Sequence, residues 1–327
     1  MTNEMYPVEH PTEQIDAIVH DPVGGLDISL DPGLEFIEPG IVASAGRRPA
    51  GIFRNAWRLW RTKVGVTIVG LLVVVAIIGP WIAPFEEQQF VGLPNSRHFS
   101  GTRFGTDYQG QDVWSRFLLG GRSILVLAVL STALGLLLGV SIGLIAAYNR
   151  GKLDQLLMRL MDIVLAFPQL LLALVALTTL GAKPWLIVVI VGFTTMPRVA
   201  RITRGATVSV VERDFIGAAE ALGESPARIM RAELLPNVSG PLLVEANLRL
   251  TYSIGIIATL GFLGFATRFN AADWGLMVNE NRLALTTQPW GTALPALAIA
   301  ALTIGTGLIS DGLGRAAAGI DRKKADA

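Results

Sequence analysis

Few residues of this chain have the types and spacing that catalysis requires. The 327-residue sequence contains no cysteine, which excludes disulfides, thiol nucleophiles and thiolate metal sites. Its three histidines, His10, His20 and His98, are too scattered to indicate a zinc site. The nearest approach to a phosphate-binding loop, at 151–153, lacks the serine or threonine that would hold magnesium. We therefore expect no catalytic residue, no metal site and no cofactor in this chain, and no ATP site of its own.

Charged residues inside apolar stretches need partners, because each costs a few kcal/mol at the centre of a membrane helix. Arg159 and Asp162 are three residues apart, and Glu245 and Arg249 are four apart. Both spacings place opposite charges on one helix face, which predicts self-paired or interfacial charges and disfavours a role in a transport path. The basic run 198–204 follows Pro197 and is interpreted as the solvated end of a span.

The most informative polar stretch is 211–237, which we call the elbow. Helical spacing predicts one apolar stripe, and Gly223 is expected to end this helix in a left-handed conformation. Ser225 and Pro226 have the types preferred at the cap and first position of a second short helix, expected to end before Pro236. The stripe either docks on a neighbouring protein or folds back onto the chain's own helices, and the pattern alone does not decide. The stripe consists of Val211, Phe215, Ala218, Ala219 and Leu222.

The overall composition indicates the class of protein in which these residues lie. The chain is 51% hydrophobic and 16% charged, with net charge +1, whereas soluble domains carry about a quarter charged residues. An ordinary cytosolic enzyme, a disordered chain and a nucleic-acid-binding protein all fit poorly. The sequence predicts an all-α, multi-pass membrane protein.

Six charge-poor stretches are candidate transmembrane helices, because about 20 apolar residues cross the hydrocarbon core. The fourth is short, but including it places 19 Lys and Arg on the cytoplasmic side and 7 outside, with both termini in the cytoplasm. Omitting it reverses the bias, so we predict six spans. The stretches are Val64–Phe85, Ser123–Asn149, Ile163–Ala182, Pro184–Pro197, Leu250–Thr267 and Leu283–Ser310.

The charge pattern also divides the chain. Residues 1–46 hold nine acidic residues and no Lys or Arg, which is typical of a solvated, disordered cytoplasmic tail. Residues 47–122 are expected to contain a basic flank, the first span and an extracytoplasmic loop. Residues 123–315 form the predicted core with spans two to six, and 316–327 a cytoplasmic tail. In the second span Gly135, Gly139 and Gly143 form a small-residue face suited to close helix packing.

The elbow resembles the "EAA" loop of the inner-membrane permease subunits of bacterial ABC importers, E-A-A-x-x-x-G followed nine residues later by I-x-L-P. The spacing is intact, although Gly217 replaces the usual Glu and Glu233 the usual Ile. The resemblance implies that the elbow contacts an ATPase subunit. The residues it assigns to that contact are Phe215, Gly217, Ala218, Ala219, Glu220, Leu222, Gly223, Ser225, Pro226, Leu235 and Pro236.

A second stretch, 105–116, which we call the signature loop, resembles G-T-D-x-x-G-R-D-x-x-S-R of dipeptide and oligopeptide permease "C" subunits. Gln111 stands where Arg is customary. Apart from this resemblance, the residue types predict a short helix that Thr106 or Asp107 caps and that ends at 120–121. Trp114, Phe117 and Leu118 are expected at the outer membrane interface. We favour this structural role over a substrate site. The matched residues are Gly105, Thr106, Asp107, Gly110, Asp112, Ser115 and Arg116.

The resemblance covers roughly residues 50–320 and implies a type I ABC importer transmembrane fold in the bacterial inner membrane. Its expected partners are a homologous permease subunit, two ATPase subunits that bind ATP and magnesium, an extracytoplasmic substrate-binding protein and membrane lipid. The expected function is half of a translocation pathway for di- or oligopeptides. Alternatives are the same role for nickel, glutathione or a sugar, or a self-sufficient carrier or channel.

Overall fold

The computed structural model describes residues 49–98, 100–265 and 272–318, so the predicted tail 1–46 lies outside the described residues. Within these ranges the chain is helical, and its only β pairing consists of two isolated bridges. The helices are α1 Pro49–Ala56, α2 Trp60–Ile82, α3 Val113–Asn149, α4 Gly151–Ala166, α5 Gln169–Leu180, α6 Pro184–Val211, α7 Asp214–Ala221, α8 Pro226–Arg228, a π-helical segment Ile229–Leu234, α9 Leu235–Phe262, α10 Trp274–Asn281, a 3₁₀ turn Arg282–Ala284 and α11 Trp290–Ala318.

Four helices of the described chain, α2, α3, α6 and α11, are long and apolar enough to cross a membrane. The pair α4 and α5 gives a fifth candidate if it forms one broken span. The predicted helical membrane class is confirmed. The count of six spans and the side on which each terminus lies stay predictions. The predicted fifth stretch begins inside α9, a 28-residue helix that carries Glu245 and Arg249.

The predicted third span is interrupted at Pro168. The axes of α4 and α5 differ by 75°, and Phe167 between them is extended, with ψ of 130°. A proline disfavours the helical conformation in the residue before it, which explains the break at this point.

The glycine face of the second span packs as predicted. A Cβ on Gly135, Gly139 or Gly143 would lie 2.9, 2.7 and 2.6 Å from backbone oxygens of α6. Only hydrogen on these Cα atoms permits such an approach, so α3 and α6 are held backbone to backbone.

The charged residues of α4 and α6 pair differently from one expectation. Asp162 pairs with Arg201 of α6 and not with Arg159 of its own helix, and Arg204 binds Asp154 through two hydrogen bonds of 2.5 and 2.6 Å. Because α6 continues through Pro197 to Val211, the basic run lies along a helix beside α4, where Arg198 and Arg201 remain exposed. The Glu245–Arg249 pair is confirmed at 2.6 Å, with both side chains buried.

Candidate functional site

The elbow bends at Gly223, as the sequence predicted. Gly223 has φ of +76°, a left-handed conformation that favours glycine. Its amide donates to the Glu220 carbonyl at 2.9 Å, and the Glu224 amide reaches the Ala219 carbonyl at 3.1 Å. These bonds satisfy the last carbonyls of α7 and reverse the chain direction.

The second arm of the elbow differs from expectation at its far end. Ser225 occupies the cap position and Pro226 the first turn of α8, although the serine side chain makes no capping hydrogen bond. The helix does not end before Pro236, but continues through the π-helical segment into α9. Pro236 lies in the first turn of α9, and the wider π turn before it reduces the clash between a proline ring and the preceding carbonyls.

The elbow is fixed to its own chain by a row that was missing from the predicted stripe. Ile216, Ile229 and Leu234 are buried in one cluster with side chains of α3, α6 and α9. The clearest available signal was the apolar Ile216 beside Phe215, which the predicted stripe left out. The cluster is completed by Leu144, Val210, Val238 and Leu242.

The predicted stripe itself is divided between two environments. Val211 and Ala219 are partly buried against this cluster. Phe215 and Ala218 are exposed, and 83% of the Leu222 surface is accessible. The elbow is therefore held on one side by its own helices and leaves an apolar face uncovered on the other.

A cavity of about 620 Å³ lies between α3 and the second arm of the elbow. Its walls are mainly apolar side chains of α3, with Ala227, Met230 and Arg231 from the elbow. Arg231 is the one charged residue among its lining side chains. The second arm is therefore not packed against α3 along its whole length.

The signature loop folds around Asp107. Gly105 and Gly110 have φ of +74° and +77°, which provide the turns on either side of it. One carboxylate oxygen of Asp107 accepts the amides of Gln109 and Gln111 at 2.9 and 2.8 Å. Its other oxygen pairs with Arg116, and both side chains are buried.

Arg116 connects this loop to α10. Its guanidinium also binds Glu280 at 3.0 Å, and the Tyr108 hydroxyl donates to the same carboxylate at 3.1 Å. Burial raises the pKa of Glu280, an effect that the positive charge of Arg116 opposes. Burial and the neighbouring Glu280 raise the pKa of Tyr108 to about 12, so its hydroxyl remains a donor at neutral pH.

The remaining signature residues end the loop and begin α3. Asp112 caps the helix, accepting the Ser115 amide at 2.8 Å and its hydroxyl at 2.7 Å. Thr106 instead accepts the Ser96 amide at 3.0 Å within the loop. The expectation that Thr106 or Asp107 caps a helix is therefore wrong: each is engaged in the turn, and Asp112 has the extended backbone that a cap requires.

The predicted stop at Gly120 and Gly121 is also wrong, because α3 runs through both glycines. Their bare faces receive the indole of Trp274, which a Cβ on Gly121 would approach to 2.5 Å. The indole donates to the Phe117 carbonyl at 2.9 Å, and the two rings stack at 5.5 Å. Phe117 and Leu118 are buried in this packing, and Trp114 is partly buried.

Sequence reasoning missed the partners that α10 and its flanks supply. Asp273 caps α10 and accepts a hydrogen bond from Ser123 at 2.5 Å, and burial raises its pKa. Gln288 donates to the Phe104 carbonyl at 2.6 Å, and Asn281 accepts the Tyr108 amide at 3.1 Å. The aspartate immediately before Trp274 and Gly275 was a readable cap signal. The contacts themselves join chain segments at least 150 residues apart.

The two regions differ in what they can do. In the signature loop the charged groups bind one another, so the loop forms a buried clamp between the start of α3 and α10. In the elbow an apolar face is left for a further contact. Together with several apolar helices, these features define a multi-pass helical membrane protein with an exposed elbow between two long helices.

Comparison with known proteins identifies the family. Residues 139–318 match the family model described as the binding-protein-dependent transport system inner membrane component, and the chain belongs to this family. The inner-membrane permease of a bacterial ABC importer, predicted from the two motifs, is thereby confirmed.

Individual relatives cover most of the chain. It is 34% identical over 256 residues to the di/tripeptide transport system permease protein DppC of Pseudomonas aeruginosa, covering 76% of this chain and 84% of that one. It is 33% identical over 263 residues to the glutathione transport system permease protein GsiD of Escherichia coli, covering 79% and 87%. A solved structure of the inward-facing MetNI methionine ABC transporter aligns with a TM-score of 0.48 at 20% identity, over 62% of this chain and 94% of that one.

Proposed function

We propose that this chain forms one half of the translocation pathway of an ATP-driven importer for short peptides. The two relatives are named for di- and tripeptides and for glutathione, which is itself a tripeptide derivative. A small peptide is the substrate class that these names share. The same role for nickel or a sugar is a second candidate.

The proposed assembly pairs this chain with a homologous permease, two ATPase subunits and an extracytoplasmic binding protein. ATP and magnesium belong to the ATPase subunits, and this chain acts without a catalytic residue of its own. In the proposed topology both termini and the elbow are cytoplasmic, and 123–315 is the core that follows a first helix region, 47–122. The family match at 139–318 supports most of that core.

The observation that carries the coupling role is the exposed apolar face of the elbow. Phe215, Ala218 and Leu222 are exposed in the described part of the chain, Leu222 almost fully and Phe215 to a little over a third of its surface. The elbow joins α6 directly to α9, and the buried Ile216 prevents it from moving independently of them. A partner that shifts the elbow would therefore shift both long helices.

Such a shift would be a rigid-body change between two arrangements of packed helices. Nucleotide can drive it only if the ATPase subunits bind one arrangement of the elbow more tightly than the other. For the signature loop we propose a structural role, in which Asp107 and Arg116 hold the segment between α2 and α3 against α10.

The substitution Leu222→Glu tests the coupling role. It places a charge on the proposed contact while altering no buried contact, so the chain should insert normally but lose the ATPase subunits on purification. Uptake should fall at least about tenfold, since burying an unpaired carboxylate at an interface costs several kcal/mol. Leu283→Glu is the matched control, because Leu283 is 87% exposed and lies far along the chain after α10.

The Leu283→Glu chain should retain its ATPase subunits. Normal uptake and normal subunit recovery with Leu222→Glu would contradict the coupling role. Transport by this polypeptide alone in liposomes would instead support a self-sufficient carrier, a class in which broken helices such as α4–α5 are common.

A further inference from the structure

The short helix α1 has one face fixed to the protein. Ile52 and Ala56, four residues apart, are 0% and 1% exposed. They pack against the end of α11, which holds α1 in one orientation relative to that helix. Their partners are Leu313, Ala316 and Ala317.

Two further rows, which begin on α1 and continue into the turn after it, are exposed to solvent; one is aromatic and the other is basic. Phe53 and Trp57 are linked by a helical hydrogen bond of 2.9 Å, and both are more than half exposed. Arg54 and Arg58 form the following row and are also exposed. Trp60, the first residue of α2, is two-thirds exposed.

The position of this face along the chain places it at a membrane surface. Only residues 57–59 separate α1 from α2, and the Leu59 amide bonds to the Ala56 carbonyl at 3.0 Å. Since α2 is a candidate span, α1 must lie within a few residues of the boundary between hydrocarbon and headgroups. Tryptophan side chains prefer this boundary, and arginines attract anionic lipid there.

We propose that α1 and the start of α2 form a binding surface for anionic phospholipid headgroups. Arg54 and Arg58 form no ion pair with any residue in the described ranges, whereas Arg61 is paired with Asp311 at 3.4 Å. The phosphates of the lipid bind the two arginines, and Phe53, Trp57 and Trp60 insert among the upper acyl carbons. The fixed row of Ile52 and Ala56 orients both exposed rows toward the lipid.

The acidic segment 1–46 is the other source of negative charge available to these arginines. Its nine acidic residues could neutralise Arg54 and Arg58. Carboxylates pair only with the cationic row, whereas the headgroup region accommodates both the aromatic and the cationic rows. The aromatic row therefore favours lipid as the occupant.

The test is a lipid titration of the full-length chain, purified in detergent with whatever subunits accompany it. Bound lipid is counted by native mass spectrometry with phosphatidylglycerol and with phosphatidylcholine of the same acyl chains. The wild-type chain should bind phosphatidylglycerol more tightly. The double substitution Arg54→Gln and Arg58→Gln should weaken phosphatidylglycerol binding by about tenfold and remove the preference.

Two further variants make the result specific. Trp57→Ala should weaken binding of both lipids, because the aromatic contact does not depend on headgroup charge. Arg103→Gln with Lys183→Gln removes two other exposed cations and should leave the preference intact.

Unchanged phosphatidylglycerol affinity in the Arg54 and Arg58 double variant would overturn the proposal. A preference that arises only after deletion of residues 1–46 would also overturn it, because the acidic segment would then be the occupant in the full-length chain.

Discussion

Arg116 belongs to the signature motif, but one of its ion-pair partners, Glu280, lies outside that motif. Its guanidinium neutralises Asp107 within the signature loop and Glu280 in α10, and it is 1% exposed. One cation thus compensates the fully buried carboxylate of Asp107 and the partly buried carboxylate of Glu280, which belong to distant parts of the chain. Without Arg116, both carboxylates lose their positive partner, and burial then raises the free energy of each unpaired negative charge.

Arg116→Met should therefore destabilise the chain by about 3–5 kcal/mol, the range found when one member of a buried ion pair is removed. Methionine keeps the length and apolar stem of the side chain, so the loss reports the charge. The measurement is the thermal denaturation of the detergent-purified chain. Arg103→Met, at an exposed arginine of the same loop region, should leave the transition unchanged.

An Arg116→Met chain as stable as the wild type would show that the clamp contributes nothing to folding. The signature residues would then have to be explained by a contact with another protein.

At the scale of helices, the α3–α6 pair depends on glycines more than on large side chains. A Cβ on Gly143 would lie 2.6 Å from both the Ala200 carbonyl oxygen and the Thr203 Cβ. Neither atom belongs to the flexible end of a side chain, so the two helices would have to separate.

Gly143→Ala should cost about 1–3 kcal/mol of stability, as is typical of overpacking in a well-packed interior. Gly70→Ala in α2 is the matched control, because a Cβ there meets no atom within 4 Å. That change should be neutral or slightly stabilising, since alanine is the better helix former. Equal thermal denaturation of the two variants would contradict the close packing of α3 and α6.

Local features of the helices were predictable from the sequence wherever one residue determines the backbone. Gly223 bends the elbow and Pro168 interrupts the third stretch because glycine and proline each restrict or permit particular φ and ψ values. The length of α3 was not predictable in this way. Gly120 and Gly121 look like a helix end until Trp274, more than 150 residues later, is packed against them.

In the candidate site too, local features were predictable from the sequence, whereas contacts with distant residues were not. Helical spacing found the exposed residues of the elbow, such as Leu222, but assigned the buried Ile216 to no face. The signature motif identified Asp107 and Arg116, but Glu280 had no local pattern to mark it. Contacts between distant segments depend on how the helices pack in three dimensions. The hydrophobic periodicity of the sequence does not predict that packing.

At the scale of the whole molecule, the number of spans depends on α9. Its 28 residues would extend about 42 Å, enough to cross a hydrocarbon core of about 30 Å. It carries Glu245 and Arg249, but these side chains bind each other at 2.6 Å and are buried. A neutral, inward-facing pair is tolerated within a membrane helix, which supports six spans.

Cysteine accessibility decides between five and six spans, and the absence of native cysteine makes each introduced thiol the only one. If α9 crosses the membrane, Leu222→Cys and Leu283→Cys lie on opposite sides, because they flank that helix. A membrane-impermeant maleimide should label Leu283→Cys in intact cells. It should label Leu222→Cys only in inside-out vesicles washed free of peripheral subunits.

Leu93→Cys, in the segment between α2 and α3, serves as the reference for the outer side in the same experiment. Labelling of Leu222→Cys and Leu283→Cys from the same side would mean that α9 does not cross. The elbow and α10 would then share one face of the membrane. The signature loop binds α10, so it would then lie on the same side of the membrane as the elbow. A cytoplasmic ATPase on the elbow and a signature clamp on the outer side could not both be correct.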